Sequence, residues 1–238
     1  MENQADDITG AVTERLLVRG LDLVQGFDSA RYNELIAGHK TLAPLPQFGR
    51  QGVLALLVGN TKALWPLFIE ACHRDTDLQD RSDPLDAWVE RVVKESLKDV
   101  PAKCALRFSH NPGEGLVSML HLAQASGLAH VGPAHLAVHP EHGTWFGLRA
   151  VILVDAEPPH AQPGSVLVPC DGCHAPCVEA LDAALAAGPA SEIAASWQAW
   201  VAVRDACPVG RASRYSEAQI RYHYSKDRAV LCRDPSTF

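Results

Sequence analysis

At 238 residues the chain can build one large domain, or one domain with an appendage, and 47% hydrophobic with 21% charged residues is a globular composition that excludes a fibrous repeat or extensive disorder. Its longest apolar runs, residues 53–58 and 150–154, fall far short of the roughly 20 residues needed to cross a bilayer. Twenty-one Lys plus Arg against 28 Asp plus Glu give a net charge of −7, which excludes nucleic acid as a principal partner. The acidic start from Met1 to Asp7 lacks the basic residues and apolar run of a secretory signal, which predicts a cytoplasmic protein. Seven cysteines without a secretory address argue against a disulfide framework.

In chain order, residues 9–25 carry Val12, Leu16, Leu17 and Leu23 near helical spacing, with Gly26 as the stop. After a connection rich in Pro and Gly, residues 53–58 are continuously apolar, which predicts a strand buried on both faces. Asn60 is expected to cap a helix running through Phe68 to Cys72. Asp83-Pro84 supplies a cap and a first-turn proline for another helix, with Leu85, Trp88, Val92 and Leu97 along one stripe. Residues 103–109 read as a strand, 115–126 as a helix and 145–155 as a second long strand with 151–154 buried. Pro158, Pro159 and Pro163 mark residues 157–164 as a linker or surface excursion, and the remainder reads as helical. Strands alternating with helices predict an α/β sandwich.

Fingerprints for dinucleotide-binding, P-loop, serine-hydrolase and zincin sites are absent. His130, His135, His139 and His142 could together supply metal ligands, but Pro133, Pro140 and Gly143 break the segment, so no helix gathers them on one face and they read as structural. Cys170-Asp-Gly-Cys173-His-Ala-Pro-Cys177, with Cys207 further on, is the most specific cluster, because four thiolates suffice for zinc or a [4Fe–4S] centre. Its spacing departs from the ferredoxin run, with Leu181 where a fourth cysteine is expected, so a structural set of thiols stands beside the metal reading. Arg149 lies inside an apolar strand, where it needs an anion, a solvated pocket or a structural ion pair. Arg204, Arg211, Arg214, Arg221 and Arg228 follow, and residues 204–238 hold seven Lys plus Arg against four Asp plus Glu. Arg204-Asp205 and Arg214-Tyr215-Ser216-Glu217 also read as a solvated helix start, with Ser216 as the cap.

The ordered segments Tyr32-Asn-Glu-Leu35, Pro44-Leu-Pro46, Asp83-Pro84 to Glu95-Ser-Leu97, His139-Pro140 to Trp145-Phe146 with Arg149, Arg204-Asp205 and Arg214-Tyr-Ser-Glu217 resemble the CblC-type cobalamin-processing proteins, the cyanocobalamin decyanase and alkylcobalamin dealkylase family. The stretch from Ser126 to Gly132, continuing to Phe146, is also similar to the cobalamin-dependent epoxyqueuosine reductases, whose iron–sulfur module Cys170, Cys173, Cys177 and Cys207 resemble in part. The resemblance implies a modified nitroreductase-like α/β sandwich, a central sheet flanked by helices with a mostly helical C-terminal part. Residues 1–155 would form the cobalamin-binding core and 156–238 a Cys/Arg-bearing extension completing the same domain. It implies base-off cobalamin binding and removal of the upper ligand, by reductive decyanation with reduced flavin (FMN, supplied by a flavin reductase) or by glutathione-dependent dealkylation. Arg149, Arg204 and Arg228 match the glutathione-binding arginines, and Val117, Ser118, Ala137 and Leu148 match cobalamin-pocket positions. Nitroreductase-like ancestry suggests a homodimer. An iron–sulfur or zinc reductase and a non-catalytic cobalamin carrier are the alternatives. The family's H-x-x-G element is not reproduced, since His121-Leu-Ala-Gln124 ends in glutamine, and D-x-H-x-x-G is absent, consistent with base-off binding without a histidine on cobalt.

Overall fold

The computed structural model describes residues 4–232 apart from 112, 114 and 161–167, so the connection expected at 157–164 falls partly outside the described residues. Helix α1 (Gln4–Leu17) buries Ile8, Val12 and Leu16 on one stripe. The helix expected over 9–25 ends earlier. Gly20 turns the chain at φ +76°, where a Cβ would stand 2.6 Å from Leu64 Cα, and strand β1 (Leu23–Asp28) follows. Leu23, which lies near helical spacing, is instead a strand residue that shares one sheet face with Phe27. The Asp28 carboxylate then accepts a hydrogen bond from Ala30 N at 2.9 Å and caps helix α2 (Ser29–Leu35).

Strand β2 (Leu54–Asn60) is buried at every residue, as its unbroken apolar run predicts. Asn60 is the last residue of this strand and caps nothing: helix α3 (Leu64–Arg74) starts after Ala63 without a side-chain cap. A short helix α4 (Thr76–Gln79) leads to α5 (Pro84–Ser96), which starts on Pro84 and buries Leu85, Trp88 and Val92 as expected. Strand β3 (Cys104–Phe108) lies within the predicted segment. Helix α6 (Met119–Ser126) begins four residues later than its apolar pattern suggests, because Ser118 is extended and its hydroxyl accepts from His121 N at 3.3 Å; Gly127 ends it at φ +75°. A hairpin of β4 (His130–Val131) and β5 (Ala137–Val138) precedes the long strand β6 (Gly147–Val154). The main sheet has the order β1-β2-β6-β3 with every neighbouring pair antiparallel.

Helices cover both faces, which is why an antiparallel strand can be apolar throughout. On one face α1, α3 and α5 pack Trp65, Phe68 and Trp88 against Leu56, Ile152 and Val154. On the other, α2 and α6 pack Tyr32 and Leu122 against Ala55, Leu57 and Leu153. The C-terminal part is helical as expected: α7 (Pro176–Ala187), α8 (Trp197–Asp205) and α9 (Glu217–Ser225), with 3-10 turns at Ala190–Ala195, Arg211–Ser213 and Arg228–Cys232. Ser216 caps α9 by accepting from Gln219 N at 3.3 Å. Tyr222, Val230 and Leu231 join the same apolar layer as α1, α3 and α5.

Candidate functional site

Gly59 and Gly147 let the ends of β2 and β6 approach so closely that a Cβ on Gly59 would lie 2.7 Å from the Gly147 carbonyl. Val58 pairs with Ala150 but Gly59 pairs with Leu148, so Arg149 is an extra residue without a partner on β2. Such a bulge re-aims the side chains around it. Leu148 thereby joins the layer of Val151 and Leu153, and Arg149 reaches the buried Asn60, donating from Nε to Oδ1 at 2.7 Å. A bulge with a buried amide acceptor is how the fold admits an arginine into an apolar strand.

Leu148 looks into a cleft of about 250 Å³ lined also by Leu120, Ala137, Phe146, Arg204 and Tyr224. Ala137, Leu148 and Arg204, predicted from separate segments, are thus brought to one cavity. Val117 packs in the same apolar layer as Ala137 and Leu148, and Ser118 is the cap of α6, its hydroxyl 2.7 Å from His121 Nδ1. Arg204 lies with its guanidinium 4.2 Å from the Trp145 ring centroid and 5.1 Å from that of Tyr215. It donates from Nε to the Thr144 carbonyl at 3.0 Å and from Nη2 to the Phe146 carbonyl at 3.3 Å. Arg228 is elsewhere, bonded to the carbonyls of Gln79 and Arg81 next to α4.

Among the described residues no carboxylate pairs with Arg149 or Arg204. Arg214, by contrast, holds Asp205 at 2.8 Å and Glu217 at 2.6 Å, which makes it the structural ion pair. The cations of Arg149 and Arg204 act together on one neighbour that sequence inspection missed. His223 keeps some exposed surface, but its Nε2 is sealed from solvent and has no hydrogen-bond partner among the described residues, as is Nε2 of the buried Gln219. Burial, then Arg149, Arg204 and Lys226, hold the His223 imidazole well below its ordinary value of 6.5. The ring packs against Trp65, Tyr215 and Tyr222. A histidine between Tyr222 and Tyr224 on an amphipathic helix was the available signal.

An acid-sensitivity prediction follows from His223. Because its folded-state value lies below the unfolded one, below about pH 6.5 the unfolded chain binds a proton that the folded chain refuses. Stability is then lost as pH falls, by at most about 1.4 kcal/mol per pH unit. In urea denaturation across pH 7.5 to 5, His223→Leu is expected to show a shallower loss than the parent protein; an identical slope would remove His223 from the acid response.

The four predicted thiols also come together. Cys170, Cys173, Cys177 and Cys207 line one small cavity against the β4–β5 hairpin. Burial first, and then the neighbouring thiols, push the Cys170 thiol up, and burial does the same for Cys207. Leu136 and Thr144 line both this cavity and the cleft beside Arg204. The histidines do not gather in the same way. His139 and His142 stack at 4.7 Å, and His142 Nδ1 lies 2.9 Å from Ser213 Oγ. Burial, then His142, lower the His139 value.

No family model and no curated protein matches the sequence. The fold is that of a solved structure, the C. elegans B12-trafficking protein CblC, a human MMACHC homologue: the TM-score is 0.69 at 18% identity, over 96% of this chain and 95% of that one. A structure of selenomethionine-labelled epoxyqueuosine reductase aligns with 74% of this chain and 52% of its own, at 13% identity and a TM-score of 0.44. The expected sandwich of a central sheet flanked by helices is therefore present, with CblC as a neighbour in fold. No helix among the described residues is long and apolar enough to cross a membrane.

Proposed function

We propose that the protein binds cobalamin in its base-off state and removes the upper axial ligand, with glutathione as cosubstrate for alkyl ligands and reduced flavin as electron source for cyanide. The observation that carries this reading is the bulge at Arg149: it turns Leu148 into the cleft and holds a guanidinium without a carboxylate partner among the described residues beside Asn60. The fold shared with a B12-trafficking CblC is the second support. In dealkylation the thiolate sulfur attacks the alkyl carbon, a C–S bond forms, the Co–C bond breaks, and its electron pair stays with cobalt as cob(I)alamin. The chain's part is to position the thiol and exclude water. Ala137 and Leu148 give the apolar wall, with Val117 and Ser118 behind it. Arg149, next to Leu148 although not among the residues lining the cleft, would offer the fork for a glutathione carboxylate, and Arg204 in the cleft wall adds positive potential. Arg228 would contribute only by anchoring the segment next to α4. At about 250 Å³ the cleft suits the thiol or the edge of a corrin, so the macrocycle would lie across its mouth.

Titration with methylcobalamin and cyanocobalamin is expected to move the visible absorption to the base-off form. An unchanged spectrum at protein concentrations well above micromolar would end this reading. Arg149→Gln is expected to raise the KM for glutathione in demethylation by about tenfold or more, the value of a charge-assisted hydrogen bond, while the cobalamin titration keeps its midpoint. An unchanged KM would take Arg149 out of the thiol site. Spectral binding without turnover, under both thiol and reduced-flavin conditions, would favour a carrier.

A further inference from the structure

We propose that Cys170, Cys173, Cys177 and Cys207 form a site for a single thiophilic metal ion, Zn²⁺ in the first instance, that ties the C-terminal helices to the β4–β5 hairpin. Three separate segments deliver these sulfurs to one cavity: the turn at 168–173, the first turn of α7, and the residues following α8. Cys170 and Cys173 are joined by a tight turn, with Cys173 N donating to the Cys170 carbonyl at 3.1 Å and Gly172 at φ +71° in its third position. That places two thiols of a C-x2-C pair on one side, the chelating half of many tetrahedral zinc sites. Cys177 follows in the first turn of α7. Cys170 Sγ lies so near the hairpin that a Cβ on Gly132 would be 3.4 Å from it.

The cavity's contents decide the class of guest. Apart from sulfur, its side chains are those of Pro, Ala, Leu and Val with one Thr, and the Thr144 hydroxyl is already committed to the Arg204 carbonyl at 3.1 Å. Soft donors in a dry pocket select a soft or borderline cation, not a hard one. The volume is about 20 Å³, room for one atom-sized guest, since a single water needs roughly 10–15 Å³. A glutathione molecule or an iron–sulfur cube is far larger. All four cysteines line the cavity, but as they stand no three potential ligands among the described residues are gathered closely enough to hold an ion. Zn–S bonds of about 2.3 Å would draw them inward and release their protons, so binding is coupled to local closure. Leu136 and Thr144 face both this cavity and the cleft, so closure here also fixes a wall of the proposed cobalamin site.

The test is made on the full chain, kept reduced and without cobalamin, so its outcome is independent of the cobalamin titration. Metal analysis of the purified protein, before and after loading with Zn²⁺ alone, is expected to give about one zinc per chain. Co²⁺ in its place should give the thiolate charge-transfer and tetrahedral absorption of a four-sulfur site. Alkylation with iodoacetamide followed by mass spectrometry is expected to leave these four cysteines protected in the zinc form and reactive after chelation, with the exposed Cys232 labelled in both. Cys173→Ser and Cys207→Ser should weaken zinc binding at least tenfold, and Cys232→Ser should not. Should the serine variants fail to fold, stoichiometry and protection in the unmutated chain still decide the matter. A protein that takes up neither Zn²⁺ nor Co²⁺, one that carries iron with acid-labile sulfide, or one in which zinc protects none of these thiols, overturns the single-ion site.

Discussion

Gly143→Ala is expected to destabilise the protein by about 4 kcal/mol or more, with a fall in Tm of roughly 10 °C, an effect normally seen only when a packed core is broken. Gly143 and Gly210 cross backbone to backbone. A Cβ on Gly143 would stand 1.9 Å from the Val209 carbonyl oxygen, and one on Gly210 would stand 2.1 Å from the carbonyl carbon of His142. Neither obstacle is a flexible side chain that can rotate away, and both glycines have positive φ, +56° and +69°. The crossing pins the reciprocal bridge between His139 and Gly143, with bonds of 2.7 and 2.9 Å, to the segment that follows Cys207. Gly49→Ala is the control for backbone strain alone, since Gly49 has φ +85° with nothing within 4 Å of its would-be Cβ. That variant should cost only about 1–2 kcal/mol. Equal losses in thermal unfolding would mean that the crossing yields easily and that only the dihedral matters.

The parts of the fold legible in the sequence are those fixed by local pattern. The apolar run into β2, the strand ending in Val154 and the Asp83-Pro84 start of α5 each announce themselves within ten residues. The helix expected over 9–25 shows where local pattern misleads: Leu16 and Leu23 fit one helical stripe, yet Gly20 separates a helix residue from a strand residue. Arg149 was legible as an oddity in an apolar strand, but the bulge that explains it is a property of register against β2, which no single segment encodes. The role of Asn60 is hidden for the same reason, because its partner Arg149 lies on β6. All four cysteines are legible as a candidate set, but the thirty residues between Cys177 and Cys207 fix no geometry; that Cys207 lines the same cavity depends on how the C-terminal helices pack. Residue pattern alone does not separate Arg204 from Arg214, and only the family resemblance singles out Arg204; in the structure one holds carbonyls and aromatic rings and the other two carboxylates.

Arg204→Ala is expected to cost about 3 kcal/mol, and Arg204→Lys to recover less than half of it. The arginine side chain does two things at once. It satisfies the carbonyls of Thr144 and Phe146 where the chain enters β6, and it lies over Trp145 and Tyr215; the Thr144 hydroxyl bonds the main-chain carbonyl of residue 204, which alanine keeps. Hydrogen bonds from a charged donor contribute roughly 1.5–3 kcal/mol each when a partner is left buried, and a desolvated cation–π contact about 2 kcal/mol. These do not add in full, because alanine lets water reach part of the rim from the cleft side. Lysine keeps the charge and can keep the ring contact, but a single ammonium cannot replace the planar fork that reaches two carbonyls. Equilibrium urea unfolding measures the loss. A value below about 0.5 kcal/mol for Arg204→Ala would show that the carbonyls find water at no cost. A full rescue by lysine would show that charge alone matters. The same variant removes one of the cations that hold His223 neutral; the acid-induced loss of stability still begins near the unfolded-state value of about 6.5, but it should end at a higher pH than in the parent protein. In Arg204→Ala the imidazole is expected to accept its proton more readily, which shortens the acid-sensitive range. Coupled losses at Arg204 and His223 would make the α8–α9 wall of the cleft one electrostatic unit, with Arg149 as its third member.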